Sequence, residues 1–217
     1  MDNLRSLGLF GGTFNPVHYG HLRAAEEARA AFSLDKVIFI PSCNPPLKKH
    51  ELAMPTDRLE MARLATQSNG CFEVSDLECK REGPSYTVCT LEEVVKDYGG
   101  RCNLFFILGL DSFLDIPAWY QAETVISLVN FIVLTRPPLN ENAVLQSPYV
   151  VERSSEPEST NVVKVKLKSR REAFLLKITS IDISSTRIRQ LISSGESVKY
   201  LLPENVQSYI IHKGLYK

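Results

Sequence analysis

The sequence predicts an α/β fold, a Rossmann-like open parallel sheet with helices on both faces and a small C-terminal helical portion. Two observations carry this. Short apolar runs alternate with amphipathic helical patterns along the chain, which is how strands joined by crossover helices read. Several of those runs are apolar throughout their centres, as strands buried on both faces of a parallel sheet must be.

The elements follow in order. Residues 4–10 read as the first strand, and residues 17–32 as a helix carrying Leu22, Ala25, Ala28 and Phe32 at helical spacing. Lys36–Pro41 is a second strand. Pro55-Thr56-Asp57 opens a helix bearing Leu59, Ala62 and Leu64. Residues 72–77 read as a strand, and Thr87–Tyr98 as a helix stopped by Gly99-Gly100. Asn103–Gly109 and Asn130–Thr135 are further buried strands, the second followed by Pro137-Pro138. From Leu139 to Asn161 the composition turns to Asn, Glu, Ser and Pro with little periodicity, and this stretch is expected to be a flexible excursion. The basic run from Lys164 to Arg171 reads as a solvated face rather than a phosphate patch. A strand is expected over 175–183. The final helix runs over 203–213, with Pro203 in its first turn and Gly214 as its stop.

Composition narrows the function classes. Lys plus Arg and Asp plus Glu number 25 each, so no global field draws the chain to nucleic acid or to a membrane surface. The polar start, Met1 to Ser6, runs straight into a strand, and no apolar stretch approaches the ~20 residues that span a bilayer. Cys43, Cys71, Cys79, Cys89 and Cys102 are scattered, odd in number and without a C-x-x-C pair. That pattern speaks against a disulfide framework and a zinc cluster and suits a reducing, cytoplasmic setting.

The strongest local signal lies between the first strand and the first helix: Gly11-Gly12-Thr13-Phe14-Asn15-Pro16-Val17-His18-Tyr19-Gly20-His21. This is the carboxyl edge of the expected sheet, where open α/β folds bind ligands. The glycines let backbone N–H groups approach a phosphate, and a helix N-terminus adds its dipole. His18 and His21 stand on one face of the first turn, where two imidazoles could hold nucleotide phosphates and stabilise charge on a leaving pyrophosphate. Downstream, Ile183-Ser184-Ser185-Thr186-Arg187-Ile188-Arg189 is a strand end leading into a helix, with hydroxyls at the cap and a cation one turn later.

The first segment resembles the H-x-G-H signature of the nucleotidyltransferase superfamily, and the second is similar to its I-S-S-T-x-x-R. Among the superfamily's members the bacterial nicotinate-nucleotide adenylyltransferases are the nearest match. The similarity runs in order over nearly the whole chain except about 139–175. It implies one nucleotidyltransferase domain over 1–217, ending in the helical portion 183–217. Gly11, Gly12, Thr13, Phe14, His18, His21, Ser184, Ser185, Thr186 and Arg189 would then bind ATP, with His18, His21, Lys48 and Arg189 as catalytic cations or donors. Pro41-Ser42-Cys43-Asn44-Pro45-Pro46-Leu47-Lys48 is similar to the family's P-x-x-x-P-P-H-K, leaving Lys48 (or Lys49) as the phosphate cation. Leu47 replaces a histidine, which removes one polar contact. Gly83-Pro84-Ser85-Tyr86-Thr87-Val88-Cys89-Thr90-Leu91 is similar to G-x-S-Y-T-x-D-T-L, with Cys89 in place of an acid.

The resemblance further implies that Asn15, Ser85, Tyr86, Thr87, Asp111, Trp119, Tyr120 and Arg136 bind the mononucleotide. Backbone N–H groups at Thr87 and Tyr120 would take the nicotinate carboxylate, and Trp119 would stack on the cationic pyridine ring. Asp111 would contact the sugar or orient the site. The expected reaction is in-line attack of the mononucleotide 5′-phosphate on the α-phosphorus of ATP. Mg²⁺ is expected to arrive with ATP, since no carboxylate cluster for a protein-held metal is visible. The partners are then ATP and nicotinate mononucleotide, without nucleic acid or membrane, and the sequence leaves room for a homo-oligomer. Phosphopantetheine adenylyltransferases and cytidylyltransferases share the H-x-G-H logic, nicotinamide mononucleotide is the rival substrate, and a non-catalytic nucleotide sensor is the alternative outside enzymes.

Overall fold

A computed structural model describes residues 5–46, 52–135, 141–153 and 161–217. The strands are β1 (Ser6–Gly12), β2 (Lys36–Pro41), β3 (Phe72–Val74), β4 (Asn103–Gly109), β5 (Asn130–Thr135), β6 (Val150–Arg153), β7 (Val162–Leu167) and β8 (Glu172–Lys177). The helices are α1 (Tyr19–Ala31), α2 (Pro55–Thr66), α3 (Leu77–Lys80), α4 (Thr87–Tyr98), α5 (Leu110–Leu114), α6 (Ala122–Leu128), α7 (Glu141–Leu145), α8 (Ser185–Ser193) and α9 (Glu204–Lys213).

The strands form one sheet in the order β3-β2-β1-β4-β5-β8-β7-β6. Strands β3, β2, β1, β4, β5 and β8 pair in parallel, while β7 and β6 run antiparallel at one edge. The chain winds outward from β1 to β3 and then resumes on the other side of β1 with β4. That reversal opens a crevice at the carboxyl ends of β1 and β4, the place where such sheets take ligands. The apolar runs of β2, β4 and β5 are needed because both sheet faces are covered: Phe131, Ile132 and Val133 are all fully buried. Residues alternate between the two layers. Leu7 and Leu9 pack with Val88 and Leu91 of α4 and Val125 and Ile126 of α6. Phe10 packs towards Ala24, Ala25 and Ala28 of α1, Met61 of α2, Ile188 of α8 and Val206 and Ile210 of α9. The small alanine face of α1 lets that helix lie close to the sheet.

Several sequence expectations shift. The first strand extends to Gly12 because Gly11 and Gly12 still pair with Ile40 and Pro41. The first helix begins at Tyr19, with His18 as its N-cap. The strand expected over 72–77 stops at Val74, and Asp76 caps the short α3 instead. The strand expected over 175–183 is β8, which ends at Lys177; only Ile178 continues, donating to Thr135. The stretch from 139 to 161 contains α7 and β6, the latter paired with β7. Lys164 and Lys166 in the basic run are countered by Glu172 and Glu152, as a solvated strand face requires. Helices α5 and α6 escaped the sequence reading because each is too short for a clear 3.6-residue period.

The cysteine reading needs correction. Cys43 and Cys79 meet with Cα atoms 5.2 Å apart and their sulfur atoms bonded, a separation suited to a disulfide. A spacing of 36 residues between a loop and a short helix leaves no trace in sequence. Cys71, Cys89 and Cys102 are free. No helix among the described residues is long and apolar enough to cross a membrane.

Candidate active site

The loop after β1 is built around buried polar groups. Asn15 is 4% exposed, and its Oδ1 accepts from the Ala53 N–H (3.0 Å) and the Tyr216 hydroxyl (2.8 Å). Burial raises the Tyr216 hydroxyl well above its ordinary pKa, keeping it a neutral donor. The loop then enters α1 through His18, also 4% exposed. The His18 backbone N–H donates to Nδ1 of His21 at 3.3 Å, and the two rings stack at 3.8 Å. With Nδ1 accepting, the His21 ring proton sits on Nε2. Gly20 is required between them: a Cβ there would lie 3.0 Å from the His18 ring.

The serine-rich segment docks on this loop. Ser184 caps α8 by accepting from the Arg187 N–H. The Ser185 hydroxyl donates to the Pro16 carbonyl (2.8 Å), and Arg189 Nη1 donates to the Asn15 carbonyl (3.0 Å). Thr13, Phe14, Asn15, His21, Ser185, Thr186 and Arg189, with Leu52, line a cleft of about 360 Å³. Two segments 170 positions apart along the chain thus share one polar cavity holding an imidazole, hydroxyls and a guanidinium.

A second cleft, of about 160 Å³, lies across the β1–β4 crevice. Gly11, Gly12, Ser42, Ser85, Thr87, Thr90, Ser112 and Trp119 line it, together with Ile40, Phe106, Leu108 and Glu78. Gly12 matters sterically, since a Cβ would stand 2.9 Å from the Phe14 ring. Thr87 opens α4, whose N-terminus has no side-chain cap, so its first-turn N–H groups are available to an anion. Ser85 is knitted to the loop after β2: its N–H donates to the Asn44 carbonyl and its hydroxyl accepts from the Asn44 N–H. The rings of Tyr86 and Tyr120 lie 4.6 Å apart, with Tyr120 half exposed.

Residues 9–191 match the family model described as Cytidylyltransferase-like. A Desulfatibacillum aliphaticivorans protein named "Probable nicotinate-nucleotide adenylyltransferase" is 42% identical over 97% of this chain and 99% of its own length. A Thermoanaerobacter protein of the same name is 40% identical over 100% of this chain and 97% of its own. The chain belongs to the nicotinate-nucleotide adenylyltransferase family. Two solved structures of the Plasmodium falciparum nicotinic acid mononucleotide adenylyltransferase share the fold, each 18% identical over 98% of this chain and 97% of theirs. One, complexed with NaAD, has a TM-score of 0.75, and the other, complexed with APC, 0.72.

The residues singled out in this family member by sequence do not all reach the clefts. His21, Thr13, Phe14, Asn15, Ser185, Thr186 and Arg189 line the first, and Gly11, Gly12, Ser85, Thr87 and Trp119 the second. His18 lies beneath His21, and Ser184 serves as a cap. Asp111 is exposed in the first turn of α5 and lines neither cleft, whereas its neighbour Ser112 lines the second. Lys48 and Arg136 lie outside the described residues.

Two residues were missed. Arg58, 1% exposed, donates to the carbonyls of Ala53 (3.0 Å), Thr13 (2.9 Å), Cys43 (3.1 Å) and Ser42. It ties the first loop to the loop after β2 and to the start of α2. Burial pushes its guanidinium below the ordinary value, against the fields of Tyr216 and Glu78. In sequence it is one arginine on a helix surface. Glu78 is buried in the second cleft and sits in an α3 too short to show a pattern.

Proposed function

We propose that this chain transfers the adenylyl group of ATP to nicotinate mononucleotide, giving nicotinate adenine dinucleotide and pyrophosphate in NAD biosynthesis. One observation supports the reading above the rest: consecutive residues 11–15 line both clefts, Gly11 and Gly12 the ring-sized one and Thr13 to Asn15 the polar one. Two substrates bound there meet end to end across a single loop.

An oxygen of the mononucleotide 5′-phosphate attacks the α-phosphorus of ATP. The bond to the bridging oxygen breaks, and pyrophosphate leaves with its electron pair, without a covalent enzyme intermediate. The chain's part is positioning and charge neutralisation. His21 offers its Nε2 proton to the triphosphate, with the His18 ring packed beneath it. Thr13, Ser185, Thr186 and Arg189 complete the polar wall, and Lys48 supplies a further cation to the phosphates. Mg²⁺, arriving with ATP, would shield the triphosphate charge, while the chain's own residues position the phosphates. The mononucleotide ring stacks on Trp119 and lays its carboxylate at the uncapped start of α4 beside Thr87 and at the Tyr120 backbone. We assign the enzyme to the cytoplasm, with no nucleic-acid or membrane partner.

The test is pyrophosphate release from ATP and Mg²⁺ with nicotinate or nicotinamide mononucleotide. Strong preference for the acid is expected. Equal use of both refutes the carboxylate site, and no release with either refutes the transferase.

A further inference from the structure

The ring-sized cleft contains a buried carboxylate that the reaction as described leaves unused. Glu78 is 9% exposed, and its Oε1 accepts a 2.6 Å hydrogen bond from the Thr90 hydroxyl. That hydroxyl in turn accepts from Arg81 (3.1 Å), so the side chain is held in one orientation. Its other oxygen, Oε2, is buried without a hydrogen-bond partner among the described residues. Neither nearby arginine donates to it: Arg58 directs four of its five N–H groups to backbone carbonyls, and Arg81 reaches Thr90 and Glu93. Arg58 lends Glu78 a favourable field, but a carboxylate oxygen out of water without a hydrogen-bond donor is still costly, and a cost of that kind in a ligand cleft calls for a complement supplied by the ligand.

We infer that Glu78 is a specificity-determining residue that reads the positive charge of a quaternised pyridine ring in this cleft. The inference rests on the mononucleotide reading above. A pyridine mononucleotide bonded to ribose through its ring nitrogen is a pyridinium, and nicotinate places a carboxylate on the same ring. The cleft carries the opposite pattern. The uncapped start of α4 at Thr87 suits the anion, and Thr90, which holds Glu78, stands three residues further, about 4.5 Å along the helix axis. Thr87, Thr90 and Glu78 line the one cleft, which thus offers donors to the ring's anion and a carboxylate to its cation. Trp119 covers a ring face and is itself attracted to the cation, so the ring charge is read from two sides. A neutral aromatic ring of the same shape satisfies the α4 end and leaves Oε2 without its counter-charge.

The experiment compares two ligands of nearly identical shape, N-methylnicotinate (a cationic ring) and 3-methylbenzoate (a neutral ring). Their binding to the full chain is measured by titration calorimetry, in the parent and in Glu78→Gln. Glutamine keeps the shape and the acceptor for Thr90 and removes the charge. The parent should bind N-methylnicotinate about tenfold more tightly, a ratio typical of one well-placed charge. Glu78→Gln should reduce the ratio to within about threefold, by weakening the cation alone. In turnover the same variant should raise KM for nicotinate mononucleotide and leave KM for ATP unchanged. A parent without preference, a variant that keeps it, or a variant that loses both ligands equally overturns the inference. If Glu78→Gln does not fold, Glu78→Met provides a second neutral side chain for the same comparison. Pyrophosphate release by the parent reports the reaction separately, so failure of the proposed function and failure of the Glu78 role remain distinguishable.

Discussion

Replacing Arg58 tests whether one buried cation holds the two clefts in register. Its guanidinium donates to four carbonyls on three segments, at Thr13, at Ser42 and Cys43, and at Ala53. In Arg58→Met those carbonyls lose their donors inside a site that is 1% exposed. An unsatisfied buried acceptor costs about 1–3 kcal/mol, so four would cost much more if nothing relaxed. Removing the charge returns part of this, because the arginine no longer has to be held out of water. We therefore expect a net loss of about 3–5 kcal/mol for Arg58→Met. Arg58→Lys should lose about 2–3 kcal/mol, since a single ammonium cannot span carbonyls on three segments. The assay is urea unfolding, with the shift read from the midpoint at constant slope. Turnover of the folded fraction should drop at least tenfold, because the loop lining both clefts loses its anchor and small misplacements are costly. A methionine variant within about 1 kcal/mol of the parent and fully active would refute the reasoning.

Other expectations follow from single contacts. His21→Ala should lower kcat by roughly 10²–10³, the scale of one lost transition-state donor, with the fold intact by circular dichroism; near-normal turnover excludes the role. Gly20→Ala should keep stability within about 1 kcal/mol, since alanine favours the helix. It should nonetheless cut kcat/KM at least about tenfold by pressing a methyl on the stacked His18 ring. Trp119→Ala should raise KM for the mononucleotide about tenfold, a stacking and cation–π contribution, and leave KM for ATP unchanged. Tyr209, whose hydroxyl donates to Asp57 at 2.8 Å, has its pKa raised to about 12 by burial and by that carboxylate. A raised folded-state pKa means its contribution is complete below the unfolded value of about 10 and disappears as pH rises to about 12. Tyr209→Phe should therefore flatten the alkaline limb of a stability–pH curve measured by urea midpoint.

How much was legible differs by element. Strands β2, β4 and β5 stand where the sequence puts them, because an apolar run buried on both faces has no other solution in water. The same holds for α4, bounded by Thr87 and Gly99, and for α9, stopped by Gly214 at a φ of 64°. Candidate site residues were legible where the backbone itself advertises them, as in Gly11-Gly12 before His18-Tyr19-Gly20-His21. The stretch from 139 to 161 was not, because α7 and β6 form on the sheet edge rather than from their own periodicity.

Local pattern, then, determined the central parallel strands, the helices long enough to show a period, and the glycine-rich loop that leads into the first helix. Packing decided the rest. It alone brought Ser185 and Arg189 onto the carbonyls of Pro16 and Asn15, and spread Arg58 over three segments. It alone placed Cys43 against Cys79 and turned Glu78 into a buried carboxylate in a ring-sized cleft. These are long-range contacts whose energy comes from desolvation and from donors and acceptors that meet only when distant segments are pressed together. A linear sequence carries no periodic trace of them.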